Sequence, residues 1–166
     1  MKIDYPIPPI MKELPLDERG YPIPYFVPII NGKPEFRYQD GKKRASCISR
    51  NLCAICGKKL YDKSYWFICG PLGFANRVHS DSAMHEDCAR YSINVCPHLV
   101  YAKAQRKSEV YDNSNPNMLR YHPDTLFLVK ADKFSPMDQD GHTYITFRPK
   151  YHEQYVYQNN KLTLKK

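Results

Sequence analysis

Residues 51–57 read NLCAICG, and residues 84–88 read MHEDC. The first stretch holds a Cys-x-x-Cys pair and the second a His-x-x-Cys pair. Zinc takes four tetrahedral sulfur or nitrogen ligands, usually as two short-spaced pairs joined by a longer segment. Cys53 and Cys56 form one such pair, and Gly57 behind them allows a tight turn that points backbone amides at the sulfurs. His85 and Cys88 form the other. At the start of a helical pattern they project from nearly one side, and the amino end of a helix favours a thiolate. Between the pairs lies SYWFICG, whose aromatic and β-branched residues favour a strand. Knuckle, strand, then two ligands in a first helical turn is the order of a treble-clef zinc site. A lone Cys-x-x-Cys fits a redox pair equally well, and a lone histidine fits a surface side chain. The combination favours one closed zinc site made of Cys53, Cys56, His85 and Cys88.

Three cysteines are left over. Cys47, Cys69 and Cys96 read as small core hydrophobes, with Cys69 the substitute ligand should His85 not serve. His98 fits a helix carboxyl cap better than a metal ligand.

Working outward, prolines 6, 8, 9, 15, 22 and 24 forbid a regular helix in residues 1–24 and predict an extended arm. YFVPII then reads as a strand, Asn31-Gly32 as a two-residue turn and KPEFRYQ as the returning strand, with Pro28 at an edge or bulge. GKKRASCISRN predicts a short helix leading into the cysteines. PLGFANRVHSDSA reads as loop, and HEDCARYSINVCPHLVYAK as a helix stopped by Pro97. Residues 99–124 read as irregular. DTLFLVK and HTYITFRPK predict strands separated by the turn-rich ADKFSPMDQDG, and the end of the chain a last strand with a basic tail. The expected fold is α+β: a treble-clef-like zinc module embedded in a small irregular domain with flanking β-strands. Residues 1–24 are the proline-rich arm and 25–166 one domain, with the zinc module at 45–100 and a β-rich part at 124–158.

The 166 residues include 14 prolines and 14 tyrosines, which argue against a mainly helical protein with a large aliphatic core. No apolar stretch approaches the roughly 20 residues that span a bilayer, so no membrane partner is expected. The amino-terminal sequence lacks the continuous apolar run of a secretion signal. Paired metal spacings rather than a disulfide framework then fit a cytoplasmic protein.

The phrases GYPIPYFVPIINGKPEFRYQD, LCAICGKKL, ICGP and MHEDCARYSINVCPHL resemble an uncharacterised family of small zinc-knuckle proteins from phages and bacteria. The matching positions are Pro22, Pro24, Phe26, Val27, Gly32, Pro34, Phe36 and Arg37, then Cys53, Cys56 and Gly57, then His85, Cys88, Ala89, Cys96, Pro97 and Leu99. The resemblance covers residues 20–100 well and the remainder loosely. It implies an intracellular, phage-encoded or bacterial protein, in the host cytoplasm if phage-encoded, and no particular activity.

A net charge of +8 sets a field that suits a negatively charged partner. Lys42, Lys43, Arg44, Arg50, Lys58 and Lys59 crowd the knuckle, with no acid between Asp40 and Asp62. The first expectation is therefore a non-catalytic, zinc-stabilised protein that binds DNA or RNA through this basic surface. Tyr61, Tyr65, Trp66 and Phe67 lie close by, where one or two can stack unpaired bases, although alternating aromatics in a strand more often form core. The first alternative is a protein-interaction module, such as a phage protein that occupies a host factor, anchored by Tyr144, Tyr151, Tyr155 and Tyr157. The second is a ββα-metal nuclease that recruits His79, Asp81 and Asn76 around a further ion. No catalytic residue is assigned. Three thiolates plus imidazole normally make a closed site, and no phosphate-binding glycine loop is present.

Overall fold

The structure, a computed structural model, describes residues 4–101 and 123–166. Helix α1 (Gly41–Arg50) begins at Asp40, whose carboxylate accepts hydrogen bonds from the Lys42 and Lys43 amides. It ends at Asn51 in a left-handed conformation, a usual helix stop. Upstream, β1 (Ile29–Ile30) and β2 (Lys33–Pro34) form the expected hairpin around Asn31-Gly32, shorter than the sequence suggests. The proline-rich segment before it lies on the body, where it buries Met11, Tyr21 and Ile23.

Strand β3 (Tyr65–Cys69) leads into α2 (Pro71–Asn76) and β4 (Val78–His79). The sequence predicts loop for these last two elements. Pro71 sits near the first helical position, where its missing amide costs nothing, and Arg77 closes the short helix in a left-handed conformation. Helix α3 (Glu86–Val95) has Glu86 and Asp87 in its first turn, matched to the positive end of the dipole. It buries Cys88, Ala89, Tyr91, Ile93 and Val95 and stops before Pro97, as the sequence predicts. The chain continues as α4 (Pro97–Val100), so the predicted irregular stretch over 99–124 starts within a helical turn. Most of that stretch lies outside the described residues.

Two long strands dominate the rest. β5 (Thr125–Gln139) and β6 (His142–Gln158) pair throughout around the turn at Asp140-Gly141. Both turn residues have positive φ, the two-residue geometry that matches strand twist. The turn-rich reading of residues 131–141 is thus corrected: the chain stays extended through Pro136 and reverses only at the last two positions. Pro136 is tolerated because β3 ends opposite Ala131, and β5 has lost that neighbour by then. The register shifts at Ala131, leaving Asp132 and Lys150 as the extra residues of a double bulge. β7 (Lys161–Leu164) adds to the end of β6.

The sheet order is β3-β5-β6-β4, yet its outer strands come back together. The His79 ring of β4 donates from Nε2 to the Ile68 carbonyl of β3 at 2.7 Å. Phe67 lies inside this curl, stacked on Phe147 at 4.9 Å between ring centres and close to Phe134 and His79. Strong coiling lets one sheet wrap its own core.

On the other face α3 packs against β3 and β5. Arg90 lies over the Trp66 ring at 5.2 Å and makes a two-pronged contact with Glu153 at 2.7 and 3.1 Å. The Glu153 side chain is only 12% exposed. Arg90 above all, and then the Tyr155 and Tyr151 hydroxyls, hold its carboxyl below the usual range against the opposing effect of burial. A depressed carboxylate adds stability above its unfolded value of about 4.3 and loses it as the pH falls through the folded value. Glu153→Gln should therefore cost about 1–3 kcal/mol at neutral pH. It should also flatten the fall of melting temperature below about pH 4.5, as read by thermal melts across pH. Among the described residues, no helix is long and apolar enough to cross a membrane.

Candidate metal centre

Residues 51–60 fold back on themselves. Leu52 bridges Lys59, the Cys53 amide donates to the Lys58 carbonyl at 2.8 Å, and the Gly57 amide donates to the Cys53 carbonyl at 2.9 Å. This knuckle presents Cys53 and Cys56 on one side. Two main-chain bonds between Trp66 and Met84, at 2.9 and 3.0 Å, fix the residue just before His85 against β3. His85 then occupies the amino cap of α3 and Cys88 its first turn. The ligand atoms of Cys53, Cys56, His85 and Cys88 all lie within 4.8 Å of one another. All three cysteines are buried, while His85 is half-buried.

The donor set fits one tetrahedral ion. Zinc–ligand bonds of about 2.0–2.3 Å put neighbouring donors about 3.5 Å apart, and Cys56 Sγ stands 3.3 Å from His85 Nδ1. The other ring nitrogen, Nε2, donates to the Lys59 carbonyl at 3.0 Å, which fixes the ring plane and makes Nδ1 the atom that would face an ion. The His85 amide points at Cys53 Sγ, 3.4 Å away. These supporting contacts are invisible in the spacing pattern, since they come from the knuckle's return rather than from the ligands.

Charge in the cluster is shared. Hydrogen bonding within the cysteine cluster lowers the Cys56 thiol strongly and raises that of Cys88. Hydrogen bonding to the Cys53 and Cys56 sulfurs raises His85 to about 10. A bound ion would take the place of protons at these sulfurs and nitrogen, because metal ligands must be deprotonated.

Gly57 explains why the knuckle needs a glycine. Its φ is +71°, and a Cβ there would meet the Tyr25 ring at 2.8 and 2.9 Å. The Tyr25 and Phe26 amides donate to the Ile55 and Ala54 carbonyls, so the ring has little room to retreat. Gly57→Ala should cost at least about 2 kcal/mol through left-handed strain and overpacking and should lower metal affinity. Parallel denaturant melts and metal titrations of the two proteins check this.

The remaining cysteines are outside the four-residue group, although Cys47 Sγ lies 3.9 Å from the Cys53 carbonyl. Cys47 and Cys69 are buried and Cys96 is half-buried. Burial raises all three thiols, with Cys47 reaching about 11, in keeping with inert core positions. The described four-residue group includes neither Cys69 nor His98.

The six knuckle-flanking cations divide by role. Arg44 donates to the Ser80 carbonyl at 2.7 and 2.9 Å and to the Thr143 carbonyl at 2.6 Å, clamping α1 onto the sheet. Lys43 covers the Tyr25 ring at 5.3 Å, and Lys58 pairs with Glu13 at 2.8 Å. Lys59 donates to the Arg50 carbonyl at 2.7 Å, which brings those two together, while Lys42 stands exposed at the other end of α1.

The residues of the nuclease alternative do not converge on an open site. His79 spends Nε2 on the Ile68 carbonyl and accepts the Asp81 amide on Nδ1 at 2.9 Å, so the ring serves as a structural strut. Asp81 accepts from Gln39 and Ser80, and Asn76 ends α2. Comparison of the chain with models of known protein families, with curated proteins and with solved structures gives no match.

Proposed function

We propose that this chain is a non-catalytic binding protein in which a treble-clef-like zinc module stiffens a basic surface for nucleic acid. A four-ligand thiolate–imidazole set leaves no open coordination position for a reacting water, so the ion would act on folding rather than on a substrate. The treble-clef reading is supported by the order of knuckle, bridged strand and ligand-bearing helix, with α2 and β4 inserted between strand and helix. The nucleic-acid reading is carried by the exposed side of α1. Lys42, Ala45, Ser49 and Arg50 are all exposed there, and Lys59 sits against the Arg50 carbonyl. Small residues between the cations permit close approach of a phosphate backbone, and a surface held rigid by zinc loses little entropy on binding.

The test begins with absolute metal content of the full chain purified without added metal, where about one zinc per chain is expected. A labelled single-stranded oligonucleotide is then titrated across salt concentration. Phosphate binding weakens steeply with salt, and Lys42→Glu with Arg50→Glu should weaken it at least about tenfold. No binding at low salt sinks the nucleic-acid reading.

One observation favours a protein partner instead. Ile29 and Ile30, at 52% and 51% exposed, present adjacent apolar side chains on the β1–β2 hairpin. An interface centred there would show little salt dependence and would be lost in Ile29→Asp while oligonucleotide binding persisted.

A further inference from the structure

A second surface sets aromatic rings beside its cations, which the exposed side of α1 does not. Where β3 begins opposite Ala131, the 61–64 turn and the double bulge of β5 and β6 border an open groove of about 310 Å³. Its lining is Lys63, Tyr65, Asp132, Lys133, Phe134 and Arg148. That volume lies at the low end for small-ligand sites.

The composition is specific. Tyr65 and Phe134 meet edge to face at 4.8 Å and are half-buried, unlike their buried neighbours Trp66 and Phe67. Both rings pack on the rim of the core, and rim aromatics can serve as stacking platforms for unpaired bases. Around them stand Lys63, Lys133 and Arg148, with Lys150 behind. The lining acid, Asp132, is already engaged: Arg148 reaches its two oxygens at 2.7 and 2.8 Å, and Lys150 reaches one at 3.4 Å. The Arg148 hydrogen bonds above all hold the Asp132 carboxyl at about 2, so the pair stays charged at neutral pH. Arg148 makes these contacts through Nε and Nη2, and its side chain is 64% exposed. Asp132 thus orients the guanidinium while Nη1 is left for an anion. Asp62, in the same turn as Lys63, is exposed.

We propose that this groove is a nucleotide subsite for single-stranded nucleic acid, with a base against Tyr65 and Phe134 and its phosphates on Lys63, Lys133 and Arg148. The proposal rests on the nucleic-acid reading above but places the base-contacting site between β3 and the hairpin, on Tyr65 and Phe134 rather than on α1.

The test uses the full chain with zinc and a fluorescein-labelled oligo-dT of about ten nucleotides, a length within the usual site sizes. Lys63→Ala with Lys133→Ala is compared with Lys42→Ala and Arg50→Ala, and thermal melts control for folding. The groove variant should bind at least about tenfold more weakly, with the salt slope lowered by about 1.4. An oligonucleotide carrying 5-bromouracil should crosslink to the peptide that contains Tyr65. Wild-type binding that survives the groove variant, or a crosslink mapped to α1, overturns the subsite and leaves the nucleic-acid reading standing. A wild-type protein that binds no oligonucleotide at low salt overturns both.

Discussion

Cys53→Ser and Cys88→Ser should each abolish stoichiometric metal and unfold the region from α1 to α3. Both sulfurs are buried, one in the knuckle and one in the first turn of α3. In small structural sites the apparent free energy of zinc binding is about 10–16 kcal/mol at neutral pH. That matches or exceeds the whole stability of a typical domain, about 5–15 kcal/mol. A serine oxygen replaces a thiolate poorly, and two buried thiols would be left crowding an imidazole. Metal analysis and a thermal melt decide the matter together. Retained metal and a wild-type melting curve in either variant would remove the site assignment, and the proposed role of the ion with it.

Phe67→Ala should be the most damaging change outside the metal centre, at about 3–5 kcal/mol. Phe67 is wholly buried, stacks on Phe147 and touches Phe134 and His79. The side chain belongs to β3, but its partners belong to β5, β6 and β4, so the cavity opens where all four strands converge. The loss should exceed that of Phe67→Leu, which keeps most of the volume and should cost about 1–2 kcal/mol. Equilibrium urea unfolding measures both. Equal losses in the two variants would mean that the curl collapses around a small residue and that ring stacking contributes little.

That Cys53, Cys56, His85 and Cys88 come together was legible because tetrahedral metal sites draw on two short-spaced pairs, and spacing is a local property of the chain. Helix α1 was legible for a similar reason, since Asp40 and Asn51 mark its ends within the segment itself. Elsewhere local signals misled. Ser135, Pro136 and Asp138 look like turn residues, yet pairing with β6 holds them extended, and Asp140-Gly141 was the true reversal. Pro71 and Gly73 hid α2, although proline near a helix start is compatible with the helix. The basic cluster was legible as a run but not by role. Arg44 is used up on Ser80 and Thr143, and Lys58 on Glu13, partners far away along the chain. For the same reason Lys133 and Arg148 did not stand out: they join Lys63 and Tyr65 only once the hairpin has docked on β3.

The long hairpin also bears on how fast the chain reaches its native state. β5 and β6 meet through a two-residue turn, so their pairing is local, and hairpins of this kind close in about 1–10 μs. β3 and β4 reach the hairpin only across long stretches of chain, joining Tyr65 to Ala131 and Val78 to Thr146. Such distant pairings slow folding. On this topology the knuckle with its helix and the hairpin should form as two early units, with docking around Phe67 as the slow step. Refolding with metal already present should then proceed at a rate that responds to changes at Phe147 far more than to further metal.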